Sequence, residues 1–301
     1  MKEKIKAIWE LMRLEHGVMI AIAIFIGLII SLQVNQELTL TNIPWKNFLL
    51  TFCTAMFLEA STFALNDYYD LEIDKKNKRI DRPLVRGDIT PKTALYLFYI
   101  FFPLGLLSSF FVNLTCFIIA VITAFMAILY DSYLKKIKLL GNFYIAYVMA
   151  IPFIFGAAST TQSTYMQIHL EISIIIMAII AFLVGCGREI MKDIMDYKGD
   201  KESGVKSFPI YIGIKKSNII VSIFYLLSIA ISLIPFLSPV FTIYYYNLVY
   251  LFMIIITDVI FTITIYQILK NQHIKISYYR KLTLFAIFIG LLAFFSAAFI
   301  G

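Results

Sequence analysis

Nine apolar runs, each long enough to cross a bilayer as a helix, occupy most of this 301-residue chain and leave little else for it to fold around. They lie near 16–33, 47–65, 93–112, 114–130, 142–159, 170–188, 218–236, 246–269 and 282–300. About 20 predominantly apolar residues suffice to span the hydrocarbon core as a helix. A soluble chain of this size would carry far more charge than the 15% found here against 60% hydrophobic residues. The fold class expected is therefore all-α: a polytopic membrane protein with nine transmembrane helices in one bundle. Only Val112-Asn113-Leu114 divides the third run from the fourth. Asn113-Leu114-Thr115 matches a glycosylation sequon there, in a turn too short to favour modification.

Charge supplies the orientation. All but Lys46 of the 26 Lys and Arg residues fall before the first run or in the loops that follow even-numbered runs. Cytoplasmic loops carry that bias, so the N-terminus is expected to be cytoplasmic and the C-terminus external. The net charge of +7 then reflects loop bias, not a nucleic-acid surface. The segment Met1–Glu10 is amphipathic and lacks a small-residue cleavage site, so the first run is expected to be a retained span. Cys53, Cys116 and Cys186 sit inside apolar runs without CxxC spacing, as buried and inert thiols do.

Two acidic stretches interrupt this apolar plan. Asn66-Asp67-Tyr68-Tyr69-Asp70-Leu71-Glu72-Ile73-Asp74 follows the second run, and Asp193-Ile194-Met195-Asp196-Tyr197-Lys198-Gly199-Asp200 follows the sixth. In each, three aspartates are spaced three then four residues apart, which on a helix puts all three on one face. An even number of spans separates the copies, so they are parallel pseudo-repeats on the same, cytoplasmic side, within one membrane domain covering residues 1–301. A solvated loop face is the plainer explanation of such acids. It has to account for the same spacing twice, and for acids that abut the spans instead of the loop centres.

Carboxylates with a neighbouring Asn amide suit Mg²⁺, a hard cation that shares its shell with phosphate oxygens. The candidate metal ligands are Asn66, Asp67, Asp70, Asp74, Asp193, Asp196 and Asp200. His16, His169 and His273 are scattered, so no zinc set competes. Six facing carboxylates require bound cations and a polyanion, and basic residues flank both copies. Arg82 and Arg86 follow the first, Arg188 and Lys192 precede the second, Lys201 follows it, and Lys135 closes Tyr130-Asp131-Ser132-Tyr133-Leu134-Lys135 on the same side. Arg grips phosphate bidentately and Lys acts as a point charge. Lipid headgroups and topology alone also explain single basic residues. Glu59 inside the second run and Asp258 inside the eighth are costly there and call for a partner or a function. Glu59 could line the same cavity as the first acidic copy, whereas a satisfied interhelical carboxylate accounts better for Asp258.

The stretch Asn66-Asp67-x-x-Asp70-x-x-x-Asp74, with Arg82-Pro83 and Gly87 behind it, resembles the first signature of the UbiA superfamily of membrane prenyltransferases. Asp193-x-x-Asp196-x-x-x-Asp200 with Gly199 resembles the second, and Tyr130 to Lys135 resembles the loop between them. The resemblance implies helices around a cavity capped on the cytoplasmic side, where Mg²⁺ ions bridge the two acidic motifs to an isoprenyl diphosphate. It implies Arg82, Lys135, Lys192, Lys201, Arg188 and Tyr130 at the diphosphate. The leaving group is neutralised, an allylic cation forms in a dry, aromatic-rich cavity, and an acceptor captures it.

Residues 66–89 are most similar to an archaeal ether-lipid branch of the superfamily. That branch transfers a geranylgeranyl group from geranylgeranyl diphosphate to geranylgeranylglyceryl phosphate, so the implied partners are a prenyl diphosphate and a lipid-like acceptor. The localisation implied is the cell membrane, multi-pass. Arg13-Leu14-Glu15-His16 is instead reminiscent of the branch that prenylates aromatic acids. Arg13, His16 and Glu59 are the candidate acceptor contacts under either reading. An ion or metabolite transporter is the alternative outside enzymes, but the acids lie at span ends and not at the midplane.

Overall fold

The computed structural model describes residues 2–13, 17–34, 39, 41–76, 78–134, 137–161, 171–202, 204–270 and 275–300, and among these helix is the only regular structure beyond one isolated bridge. The helices are α1 (Lys2–Met12), α2 (Gly17–Val34), α3 (Trp45–Lys76), α4 (Pro83–Arg86), α5 (Pro91–Phe110) and α6 (Leu114–Ser132). They continue with α7 (Lys138–Ala158), α8 (Ile172–Glu202), α9 (Phe208–Ser232), α10 (Ile234–Leu237), α11 (Leu248–Lys270) and α12 (Ile276–Ile300). Each expected apolar run falls mainly on helix over its described residues, the run 218–236 on α9 and α10 together. Among the described residues, eight helical segments, carried by α3, α5 to α9 with α10, α11 and α12, are long and apolar enough to cross a membrane. The chain is an integral, polytopic, all-α membrane protein.

The first expected span is α2, of which Met19–Val34 is a shorter apolar helix. Its full 18 residues rise about 27 Å at about 1.5 Å each, slightly under the ~30 Å hydrocarbon core. In the opposite direction, α3 and α8 outrun their apolar segments, with 32 and 31 residues. Each carries its apolar run and its acidic triplet on one continuous helix.

Two compact units divide the chain: α1, α2 up to Phe25 and α3 to α6 form one, and α2 from Ile26 with α7 to α12 form the other. In the first unit α3 packs against α5 and α6, with α1 and α4 laid on it. Ala7, Leu11, Ala64, Leu84, Ile89 and Ala94 are buried together there, and small residues let helices approach closely where lipid offers no hydrophobic drive. The chain leaving α3 turns back through α4, whose first residue is Pro83 and whose cap is Gly87 at φ 81. A fixed φ suits the first position and a left-handed cap suits glycine, which gives Pro83 and Gly87 a structural reason. Thr90 then caps α5 by accepting from Thr93 N.

The break between α5 and α6 falls where expected. Asn113 caps α6 through Cys116 N, and its amide nitrogen donates to the carbonyls of Ala158 and Thr161 at 2.9 and 3.0 Å. The nitrogen that glycosylation would modify is thus committed to two backbone acceptors.

In the second unit α8 packs on α9 and α12, and α11 on both of those. Ile190, Met191, Ile194, Val221, Tyr225 and Phe261 are buried together at this meeting. A Cβ on Gly187 would sit 2.4 Å from the Tyr225 ring, so this glycine admits the ring against α8. Asp258 of α11 accepts from Ser232 Oγ at 2.9 Å, the satisfied interhelical arrangement expected of it. Phe252 and Phe285 face outward, as do Tyr96 and Phe125 in the first unit, which a lipid surround accommodates.

Backbones approach closely at Gly27 of α2, where a Cβ would lie 2.1 Å from the Phe153 carbonyl oxygen of α7. Backbone cannot swing aside as a side chain does. Gly27→Ala is expected to cost about 1–3 kcal/mol, visible as a lower melting temperature in detergent. An unchanged melt would mean that α2 and α7 separate at no cost.

Candidate active site

The α3 triplet sits within a network of guanidinium groups. Asp67 is buried, and its Oδ1 accepts from Arg13 Nη2 at 3.2 Å and from Arg82 Nη1. Arg13 stands between α1 and α2 at φ 49, a left-handed conformation that costs a non-glycine residue about 1–3 kcal/mol. The ion pair to Asp67 and the stacking of its guanidinium 4.1 Å from the Phe63 ring centre offset that cost. Arg82 also faces Asp74, with Nε 3.9 Å from Oδ2. Among the described residues Arg82 Nε is a buried donor without a hydrogen-bond acceptor, so it has one N–H left for an incoming oxygen. Asp70 is half-buried on the same helix face.

Asn66 donates from Nδ2 to Asp131 Oδ1 at 2.7 Å, which leaves its amide oxygen as the group able to meet a cation. Arg86 is engaged with Glu10, Asp88 and the carbonyls of Ile80 and Asp81, and so pins the loop after α3 to α1. Arg79 binds Asp81 bidentately at 2.9 and 3.0 Å and holds that carboxyl below the usual carboxylate range.

The α8 triplet converges on a lysine. Lys138 Nζ lies 2.7 Å from Asp200 Oδ2, 3.6 Å from Asp193 Oδ1 and 3.7 Å from Asp196 Oδ2. Asp193 and Asp200 are buried while the side chain of Asp196, between them in sequence, is 48% exposed. Asn142, one turn along α7 from Lys138, donates Nδ2 to Asp193 Oδ2 at 2.7 Å. Lys192 is exposed and pairs with Glu189 at 3.6 Å, and Lys201 is exposed in the last turn of α8. Arg188 is buried on another side of the helix, and its Nη1 donates to the Arg280 carbonyl at 2.6 Å and to Thr283 Oγ1 at 2.8 Å.

Of the remaining expected residues, Tyr130 is half-buried in the last turn of α6 and Glu59 is half-buried in α3. Lys135 and His16 lie outside the described residues, as do His169 and His273. Lys138, Asn142 and Asp131 were not singled out from the sequence. Their partners are 51 to 65 residues away in the chain, and no local pattern marks them.

Among the described residues no three His, Cys, Asp or Glu side chains close around a metal position by themselves. The donor set nevertheless fits a hard cation. All the candidate ligands are oxygens, and three carboxylates of α8 already gather on one positive charge, the Lys138 ammonium, which stands in for a cation.

Comparison with known proteins points the same way. The model of the UbiA prenyltransferase family matches residues 22–284. A digeranylgeranylglyceryl phosphate synthase of Archaeoglobus fulgidus is 40% identical over 301 aligned residues, covering 99% of this chain and 97% of the relative. A solved structure of a digeranylgeranylglyceryl phosphate synthase is 33% identical and superposes with a TM-score of 0.79 over 98% of this chain and 99% of that one. A UbiA homolog from Archaeoglobus fulgidus, solved with GPP and Mg²⁺ bound, shares the fold at a TM-score of 0.63 and 17% identity, over 96% of this chain and 99% of that one.

Proposed function

The chain belongs to the UbiA prenyltransferase family, and from that premise we propose that it transfers a geranylgeranyl group from geranylgeranyl diphosphate to geranylgeranylglyceryl phosphate. Diphosphate is released, and the product is a doubly prenylated glyceryl phosphate of the archaeal ether-lipid type. The observation that carries this reading is the 40% identity, along nearly the whole chain, to a synthase of that kind. The chain's own carboxylate triplets and their basic surroundings support it.

We assign Asp70, Asp74, Asp193, Asp196 and Asp200, with Asp67 and Asn66, to holding Mg²⁺, in agreement with the ion bound by the family member of the same fold. Bound Mg²⁺ would neutralise the charge that develops on the departing diphosphate. Arg82 offers its unsatisfied Nε–H to a phosphate oxygen, and Lys192, Lys201, Lys135 and Tyr130 are assigned to further diphosphate contacts. Breaking the allylic C–O bond leaves a carbocation. The acceptor hydroxyl captures it, forms the ether C–O bond and gives up its proton. Arg13, His16 and Glu59 are assigned to the acceptor. Arg188 is assigned to the contact between α8 and α12.

Residues 1–301 are taken as one membrane-embedded catalytic domain in the cell membrane, with a cytoplasmic N-terminus, an external C-terminus and the reaction at the cytoplasmic face. The support is the loop charge bias. A reporter fused to the C-terminus should respond to impermeant reagents outside the cell; response only after lysis would reverse the orientation.

Purified protein supplied with labelled geranylgeranyl diphosphate, Mg²⁺ and geranylgeranylglyceryl phosphate is expected to yield doubly prenylated product, with none in excess EDTA. Turnover only with an aromatic acid as acceptor would overturn this assignment and make the protein a quinone-pathway prenyltransferase.

A further inference from the structure

Lys138 is not held as a surface lysine usually is. Ile137, the residue before it, forms a parallel bridge with Lys206. Leu140 N and Gly141 N both donate to the Ile137 carbonyl, so α7 starts at this bridge. On the other strand of the contact, Val205 N donates to the Asp200 carbonyl. Backbone hydrogen bonds therefore link the segments that carry Lys138 and Asp200. Lys138 and Asn142 are four residues apart on α7 and face the same way, so α7 presents a cation to Asp200 and an amide to Asp193 together.

We propose that Lys138 is a tethered counter-cation that occupies the centre of the α8 triplet when no divalent ion is bound there. It has to be displaced before an ion binds, and it thereby sets the divalent-ion affinity of this triplet. The inference rests on the reading of Asp193, Asp196 and Asp200 as metal-holding residues and adds a determinant of their affinity.

The physical basis is competition for the same oxygens. An ammonium at hydrogen-bond distance from both Asp200 oxygens and within 4 Å of the other two aspartates fills the volume in which an ion would meet all three. A divalent cation beside it would be repelled in this partly buried setting. Without either cation, three carboxylates would face one another unscreened. Lys138 thus stabilises the metal-free protein and lowers the apparent affinity for metal. Four rotatable carbons let the ammonium leave while its backbone stays pinned.

The test uses the full-length protein in detergent, in an Asp70→Asn background that weakens the α3 triplet, with Mn²⁺ binding followed by the paramagnetic resonance of the free ion. Lys138→Met is expected to bind Mn²⁺ at least about tenfold more tightly than its parent, since a charged hydrogen-bonded competitor of this kind is worth at least that factor. In EDTA the same variant should melt below its parent, and saturating Mn²⁺ should close the gap. Lys138→Arg keeps the charge and grips carboxylates more firmly, so its affinity should equal or fall below that of the parent. It also provides a folded comparison if the methionine variant cannot be purified free of metal. Unchanged or weaker binding in Lys138→Met, or tighter binding in Lys138→Arg, would overturn the proposal. Absence of Mn²⁺ binding from the parent and every variant would instead remove the metal assignment itself, and this inference with it.

Discussion

Asp196→Asn, and separately Asp70→Asn, is expected to reduce prenyl transfer by at least about a thousandfold while leaving the melting temperature within a few degrees of the unsubstituted protein. The reasoning depends on where each carboxylate sits. The Asp196 side chain is 48% exposed, and among the described residues it pairs with the Lys138 ammonium at 3.7 Å. A half-exposed pair at this separation contributes about 1 kcal/mol to folding. The same carboxylate supplies a hard oxygen and a full charge to a metal position, where a Lewis acid stabilises the leaving group by several kcal/mol, and each 1.4 kcal/mol is about tenfold in rate. Asp67 and Asp193 are poorer probes because both are buried in networks that hold the fold, Asp67 with Arg13 and Arg82 and Asp193 with Asn142. Loss of activity in those variants would mix chemistry with unfolding. Extraction of labelled product and a detergent melt on the same preparation decide the matter. Turnover within tenfold of the parent in Asp196→Asn would remove α8 from the metal site.

The sequence shows what depends on local period and leaves out what depends on distant pairing. Apolar length located the helices, and the three-then-four spacing put each acidic triplet on one helix face, because both are properties of consecutive residues. Pro83 and Gly87 were legible only as part of the family's signature, and their places at the start and end of α4 come from the structure. Asn113 was legible as a break between two apolar runs, while its capping of α6 comes from the structure. By contrast, the partner of each acid comes from elsewhere in the chain. Lys138 reads as one more loop lysine in a run of three, and nothing local says that it meets Asp200. The left-handed Arg13 was equally hidden, since the ring of Phe63 and the carboxylate of Asp67 hold it from another helix. Helix ends were blurred because α3 and α8 carry charge into their last turns, where hydropathy has already fallen.

Arg188 donates to α12, and its replacement is expected to act on the fold rather than on the diphosphate. An arginine five residues before an acidic triplet suggests a phosphate ligand. At about 100° per residue, however, Arg188 lies roughly a third of a turn of α8 away from the mean direction of the three aspartates. The structure uses that separation: the guanidinium donates to the Arg280 carbonyl and to Thr283, which in turn donates to the same carbonyl. These bonds fasten α8 to α12. Arg188→Met keeps much of the apolar stem and removes both charged hydrogen bonds, each worth about 1.5–3 kcal/mol. The expected loss is about 3–5 kcal/mol, or a fall in melting temperature on the order of 10 °C. The folded fraction should keep a KM for the prenyl diphosphate within about threefold of the parent, because no phosphate contact has been removed. The opposite pattern, an unchanged melt with a steep rise in that KM, would turn Arg188 toward the substrate and return it to the diphosphate site.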